Sequence, residues 1–368
     1  MDSLLLNLPA DVVEITEQLV NAPSISGDEK ALADEIEAKL SECSWLTITR
    51  ISNTIIARTE LGRDQRIVLA GHIDTVPAAN NTEAIRVPAG QKLPTGELAP
   101  EDVIFGLGSC DMKGGVAVAL QAALTIEQPN MDVTYVFYEC EEVDSIRNGL
   151  TLVSSSNPEL LAADVAILLE PSNAVIEAGC QGTLRAEIKL AGKRSHSARS
   201  WLGVNAIHAL SPVLEILANY EPKRVLVDGL EYREGLNAVG ISGGIAGNVI
   251  PDEASVTINY RYAPSTSDDK AAGHIREVFA GYEVEIIDNA PGALPGLTNS
   301  ALASLLELVG GEVAPKFGWT DVSRFSRLGI PAVNFGPGDP ALAHSASEHV
   351  PVSQIHRTAT LINQWLTN

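Results

Sequence analysis

The chain has 368 residues, too many for one small domain and few for three, so two domains are expected. Apolar residues make up 45% and charged residues 20%, which supports a well-buried core and argues against disorder across the chain. Its 25 Lys and Arg against 47 Asp and Glu give a net charge of −22, and a chain that acidic repels phosphate backbones, so no nucleic-acid partner is expected. No apolar run approaches the roughly 20 residues of a membrane helix. The opening MDSLLLNLPADVV has neither a basic n-region nor a long enough apolar stretch for a secretion signal. No membrane association and a cytoplasmic location are the expectation. Cys43, Cys110, Cys140 and Cys180 form no CxxC pair, so they read as reduced thiols and not as a zinc knuckle.

In chain order, residues 11 to 42 read as two helices. Ser26 followed by Glu29 has the form of an S-x-x-E capping box, and Ala31, Leu32, Glu35, Ile36 and Leu40 continue at helical spacing. Apolar strand-like runs follow at RIVLAGH (66–72), VTYVFYE (133–139) and VAILLE (165–170), with the helical GGVAVALQAAL (114–124) among them. Nearly continuous apolar strands separated by helices predict an α/β domain with a mostly parallel, buried sheet. The Pro-, Gly- and Asn-rich stretch from Ala78 to Asp102 reads as a long surface excursion.

The pattern changes near Gly179. TLRAEIKLAG alternates over 183–192, an apolar helix is predicted at 203–219, and alternating runs follow at 236–247 and 252–262. A helix at 268–280 and the strand YEVEII complete a β-α-β-β-α-β order, that of a ferredoxin-like module. After Pro291 come the helix NSALASLLELV, the strand PAVNFG and a last helix from about Val352. The expected organisation is therefore one α/β domain, residues 1–180 and 292–368, interrupted by an α+β insert at 181–291. The insert holds 11 Lys and Arg against 14 Asp and Glu, a net −3, while the remainder holds 14 against 33, a net −19. The insert is the less hostile surface for an anionic ligand.

Polar, metal-competent side chains stand directly after three of the buried strands: His72 and Asp74, Glu141 and Glu142, and Glu170. In open α/β sheets ligands bind outside the carboxyl ends of the strands, so these groups are expected to converge. Asp111, in the glycine-rich GLGSCDMKGG, is a fourth candidate, with a plain helix N-cap as its alternative. That loop lacks GxxxxGK[ST] and GxGxxG, which excludes nucleotide binding as the leading reading. Two adjacent carboxylates after an apolar strand are costly unless something cationic neutralises them. Carboxylates with imidazoles suit borderline ions such as Zn²⁺, and a carboxylate bridging two ions lets them share one water. His72 and Asp74, two apart on an extended segment, face the same way, so Asp74 can orient the His72 ring.

GHIDTVP, GLGSCDMKGG, the Glu-Glu pair, a Glu after the next strand and the late AHSASE together resemble the co-catalytic zinc peptidases and deacylases of the M20 family, over essentially the whole chain. The resemblance implies a zinc-peptidase-like catalytic domain with an inserted lid and dimerisation domain. It implies two Zn²⁺ per subunit, replaceable by Co²⁺: His72 and Glu170 on one, Glu142 and His344 on the other, Asp111 bridging. Glu141 becomes the general base and Asp74 the partner of His72. His344 is preferred over His349 because GPGDPALAHSASE matches the family context there, and His349 reads as structural. His208, His274 and His356 read as surface or packing residues. His196, in GKRSHSARSWLG, corresponds to a lid histidine that reaches the partner subunit's site and stabilises the oxyanion. Asn248, Arg261, Thr320 and Arg324 correspond to substrate-contacting positions.

The function so implied is hydrolysis of an amide on a small, anionic N-acyl amino acid by a homodimer joined through the lid. N-succinyl-LL-2,6-diaminopimelate is the expected substrate, and acetylornithine or another N-acyl amino acid the alternative. A non-catalytic binding protein on the same scaffold would be expected to have lost the base or a ligand, and here every position is filled.

Overall fold

Hydrophobic patterning of two kinds divides the chain into two compact units in the computed structural model, which describes residues 6–7 and 11–368. The first unit comprises residues up to Ala178 with Gly296–Ala314 and Arg324–Asn368. The second comprises Gly179–Pro295 and also Pro315–Ser323, a segment that the expected insert 181–291 did not include. Thr320 therefore belongs to the second unit and Arg324 to the first.

In the first unit an eight-stranded sheet runs in the order Thr47–Ile51, Thr54–Arg58, Asp132–Tyr138, Arg66–His72, Val165–Leu168, Ala332–Asn334, Ile176–Ala178, Val313–Pro315. Its four middle strands are parallel. Asp132–Tyr138 and Val165–Leu168 are buried at every residue, as the unbroken apolar runs require of strands covered on both faces. Helix Gly114–Thr125, buried along most of its length, lies against the strand Arg66–His72 and the helices Val12–Asn21 and Val352–Thr367. The excursion after Ala78 is not structureless. Ile85–Val87 and Val103–Phe105 pair with each other, and Val103–Phe105 also pairs with His349–Pro351. His349 is thus a buried strand residue, its Nδ1 2.7 Å from the Ser347 carbonyl.

The expected capping box does not form. The second helix spans Lys30–Ser41 with no side-chain cap, because the Ser26 hydroxyl donates to Asp74 Oδ2 at 2.7 Å and Glu29 accepts the N–H groups of Gly27 and Cys140. Tertiary partners outbid the local ones.

The second unit is a four-stranded antiparallel sheet in the order Gly235–Gly243, Glu253–Tyr262, Gly182–Ala191, Val284–Ala290. Its helices are Ala206–Ala209 and Ser211–Ala218, which divide the single predicted helix at Leu210 with Pro212 in the first turn of the second, and Asp268–Val278. Leu184, Ala186, Ile188, Val256 and Ile258, alternating along the two central strands, form its core with Ile275 and Phe279. A hairpin, Arg224–Val227 with Leu230–Arg233, turns on Asp228 and Gly229, both at positive φ, and is an element that the predicted order lacks.

One close approach fixes where the strand-end loops can lie. A Cβ at Gly115 would stand 2.0 Å from the Leu169 carbonyl oxygen, so only glycine lets this helix approach the backbone that carries Glu170. Alanine gains about 0.5–1 kcal/mol in helix propensity, but a backbone clash of this kind costs roughly 1–3 kcal/mol or more and wins. Gly115→Ala should therefore lower the unfolding midpoint, by a few degrees per kcal/mol in a domain of this size. An unchanged thermal or denaturant midpoint would refute the steric argument.

Candidate metal centre

Strand register brings the first ligands together. His72 lies opposite Tyr138 and Ala70 opposite Leu168 in the parallel ladder, so all three chains leave the sheet on the same edge and deliver His72, Glu141, Glu142 and Glu170 there. The groups His72–Asp111–Glu170, His72–Glu141–Glu142 and Asp111–Glu142–His344 each have ligand atoms within 4.8 Å of one another. All six residues belong to the first unit.

Asp111 is central. Its Oδ1 lies 3.0 Å from His72 Nε2 and its Oδ2 3.3 Å from His344 Nε2. It heads no helix, the next one beginning at Gly114, so the N-cap alternative fails. His344 Nε2 is also 2.8 Å from Glu142 Oε1. His344 itself sits at φ 61°, a conformation that non-glycine residues adopt sparingly and that clusters at functional sites. One carboxylate thus turns its two oxygens to two separate histidines, each with a further carboxylate nearby. That donor set of imidazoles and carboxylates fits a pair of divalent ions.

Asp74 lies behind these groups. It is fully buried, and Oδ1 accepts the Glu141 N–H at 3.0 Å while Oδ2 accepts the Glu142 N–H at 3.1 Å. His72 Nδ1 is 3.4 Å from Asp74 Oδ1 and 3.1 Å from the Asp74 carbonyl oxygen, which leaves Nε2 for the centre. Burial alone would raise the Asp74 pKa, but the hydrogen bonds from His72, Ser26 and the Glu141 N–H hold it below the usual carboxylate range.

The electrostatics are those of crowded carboxylates around two histidines. Hydrogen bonds to Asp111 and Glu142 push His344 up to about 10 against burial. Burial opposes ionisation of His72, yet Asp111 and Asp74 raise it well above the ordinary imidazole value. Asp111 is held low, burial being outweighed by both histidines. Two nearby groups escaped the sequence reading. Glu348 is fully buried, and burial pushes it up to about 7. Lys113, also buried, donates to the Ala22 carbonyl at 2.7 Å and is driven down to about 7 by burial, with Glu348 and Asp74 drawing it back up. A charged residue within a glycine-rich or histidine-bearing motif was the only available signal for either.

Of the remaining candidates, His196, Asn248, Arg261 and Thr320 belong to the second unit and Arg324 to the first. His196 is on a short ribbon in which Ser195–His196 pairs with Val249–Ile250, and Asn248, just before the second strand, accepts the Ser197 N–H through its carbonyl. The His196 ring is outside the metal-competent groups, and its Nδ1 accepts the Ala198 N–H at 3.0 Å. Arg261 is half-buried with Nε donating to Asn259 Oδ1 at 3.2 Å, and Thr320 accepts the Cys180 thiol through its carbonyl. Arg324 hydrogen-bonds Thr151 and Ser145, in the loop and helix that follow Glu142. His208 and His356 are exposed, and His274 pairs with the Tyr220 hydroxyl at 2.9 Å. All four cysteines are buried thiols outside any disulfide.

Comparison with known proteins finds relatives over nearly the whole chain. A Mycobacterium tuberculosis protein assigned as the succinyl-diaminopimelate desuccinylase DapE is 51% identical over 98% of this chain and 99% of its own length. The succinyl-diaminopimelate desuccinylase of Corynebacterium glutamicum is 45% identical over 98% of both. Among solved structures, an M20 family metallo-carboxypeptidase from Sulfolobus solfataricus superimposes with a TM-score of 0.74 at 16% identity, covering 97% of this chain and 98% of that one, a likeness of fold. The model of peptidase family M20/M25/M40 matches residues 68–368, and the chain belongs to that family.

Proposed function

We propose that the protein is a metal-dependent amide hydrolase that removes the succinyl group from N-succinyl-LL-2,6-diaminopimelate, a step of diaminopimelate and lysine biosynthesis. The observation that carries the hydrolytic reading is Asp111, whose two carboxylate oxygens face His72 and His344 separately. The substrate rests on the names of relatives 51% and 45% identical over nearly their whole length.

His72 and Glu170 would hold one Zn²⁺, Glu142 and His344 the other, with Asp111 between them and Co²⁺ able to replace either. Such a pair, when bound, polarises the amide carbonyl and makes the attacking water acidic. Glu141 takes the proton from that water and passes it to the departing amine. Asp74 keeps Glu141 and Glu142 in register by accepting both of their N–H groups. His196 supports the oxyanion. Because its Nδ1 accepts a backbone N–H, the ring proton sits on Nε2, which is the donor an oxyanion needs. Asn248, Arg261, Thr320 and Arg324 bind the substrate, and Arg261 is suited to a carboxylate. The buried thiols accord with a reducing, cytoplasmic setting.

We further propose a homodimer joined through the second unit, which acts as a lid. Its edge strand Gly235–Gly243 exposes Val239 and Ile241, 59% and 62% accessible, and a second copy would cover them. His196 would then serve the partner's site. Mixing a His196→Ala subunit with a Glu141→Gln subunit should restore part of the activity, since one composite site would be intact. No recovery in a verified heterodimer would exclude the trans role.

Removing metal should abolish turnover, and added Zn²⁺ or Co²⁺ should restore it. Full activity in protein shown by elemental analysis to be metal-free would end the hydrolytic mechanism proposed here. Glu141→Gln should keep its metal while kcat falls by about 10²–10⁴, the worth of a general base. If that variant loses metal and Glu142→Gln keeps it, the two roles are exchanged.

Amine release from N-succinyl-LL-2,6-diaminopimelate and N-acetylornithine, measured side by side, tests the substrate. The succinyl compound carries more carboxylates, so its kcat/KM should lead by at least about two decades, the scale on which unpaired buried charges discriminate. Arg261→Ala should narrow that lead by weakening the succinyl substrate selectively. Faster turnover of acetylornithine would move the assignment to a deacetylase.

A further inference from the structure

Asp111 needs its backbone held as firmly as its side chain. The chain there is irregular, running from Gly108 at φ 77° through an extended Asp111 at φ −120°, ψ 96° before the helix starts at Gly114. The N–H groups of Cys110 and Asp111 are both taken by one atom, Glu348 Oε1, each at 3.1 Å. Glu348 is fully buried, and its Oε2 has no hydrogen-bond partner. It is 237 residues from Asp111 in sequence but four from His344. Its own backbone is fixed at both ends. The Glu348 N–H donates to the Ser345 carbonyl, its carbonyl accepts the Gly106 N–H, and the strand His349–Pro351 follows at once. A second tie joins the same two segments, the Cys110 thiol donating to the Asp339 carbonyl at 3.1 Å.

We infer that Glu348 is a positioning residue: its carboxylate clamps the backbone of Asp111 to the segment that carries His344, and so sets the spacing across which Asp111 joins the two halves of the centre. This rests on the two-metal reading above. A side chain buried only for packing would be apolar, and a carboxylate kept inside with one oxygen unmatched is retained at a cost. What it gains is a link between two ligands that lie beyond the end of the strand pair Val103–Phe105 and His349–Pro351. Without it two backbone N–H groups lose their acceptor, and Asp111 can turn away from the His344 side while His72 still holds the other oxygen. Metal centres depend on such outer partners by about 10- to 100-fold in affinity.

The test compares metal binding by the wild type, Glu348→Gln, Glu348→Asp and Glu348→Ala, by competition with a chromophoric chelator and by the spin coupling of the two-Co²⁺ form. Gln keeps an acceptor oxygen at the same reach, so both ions should bind within a few-fold of wild type, with coupling retained. Asp is too short and Ala has no acceptor. In either, the ion shared by Asp111, Glu142 and His344 should bind about 10- to 100-fold more weakly, with coupling reduced. The Asp variant serves should Ala not fold. A purely structural Glu348 would lower the unfolding temperature and leave metal affinity and coupling of the folded protein unchanged, which overturns the inference. A wild-type protein that fails to bind two ions overturns the two-metal reading and this role with it. Two ions in the wild type, held equally by Asp and Ala variants, overturn the positioning role alone.

Discussion

Backbone N–H groups in strand-end loops have no ladder to join, and in this protein buried carboxylates accept them. Asp74 takes the N–H groups of Glu141 and Glu142, Glu29 those of Gly27 and Cys140, and Glu348 those of Cys110 and Asp111. A carboxylate can satisfy several donors at once, and charge-assisted bonds of this kind are shorter and about twice as strong as neutral ones. Asp74 and Glu348, and Glu29 toward Cys140, belong to a different stretch of chain from the loop they hold. Irregular loops therefore gain fixed positions without secondary structure of their own, as a metal centre requires of its ligands.

Parallel strands make this arrangement necessary. Their carboxyl ends lie on one edge of the sheet, so register alone brings His72, the Glu141–Glu142 pair and Glu170 into a common region. Register does not aim the side chains. Cys140 at φ 57° and His344 at φ 61° show the backbone bent into conformations that only surrounding contacts sustain. For Cys140 those contacts include its N–H and thiol on Glu29 Oε1.

This division explains what could be read in advance. The buried strands, the change to alternating patterning near Gly179 and the polar residues after each strand are local signals, and local signals survive in a single sequence. The M20-like motifs added His344 and gave Asp111 a bridging role, where the residues alone left it open between a ligand and a helix cap. The unreadable parts are non-local. Ser26 and Glu29 have the spacing of a capping box, yet Asp74 and Cys140, 48 and 111 residues away, are their partners. Glu348 meets Asp111 across 237 residues, a distance no pattern spans. Pro315–Ser323 joins the second unit from beyond the insert for the same reason. The hairpin Arg224–Arg233 does carry a local signal, the Asp228-Gly229 turn, although charged residues interrupt the alternation of its strands.

Charge gives the argument its last step. The centre gathers Asp74, Asp111, Glu141, Glu142 and Glu170 around two histidines, inside the part of the chain that carries −19 of the net −22. Left to themselves such carboxylates draw protons, and the raised pKa of His344, about 10 with Asp111 and Glu142 beside it, expresses that pull. The same field that raises an imidazole pKa favours any cation, and a divalent ion more than a proton where several oxygens can reach it. An anionic substrate faces the opposite sign: without cations at the centre, this cluster of carboxylates would repel those of the substrate. Two divalent ions, +4 against those five carboxylates, would offset most of that field, so binding an anionic acyl-amino acid and activating its amide would depend on one and the same loading of the site.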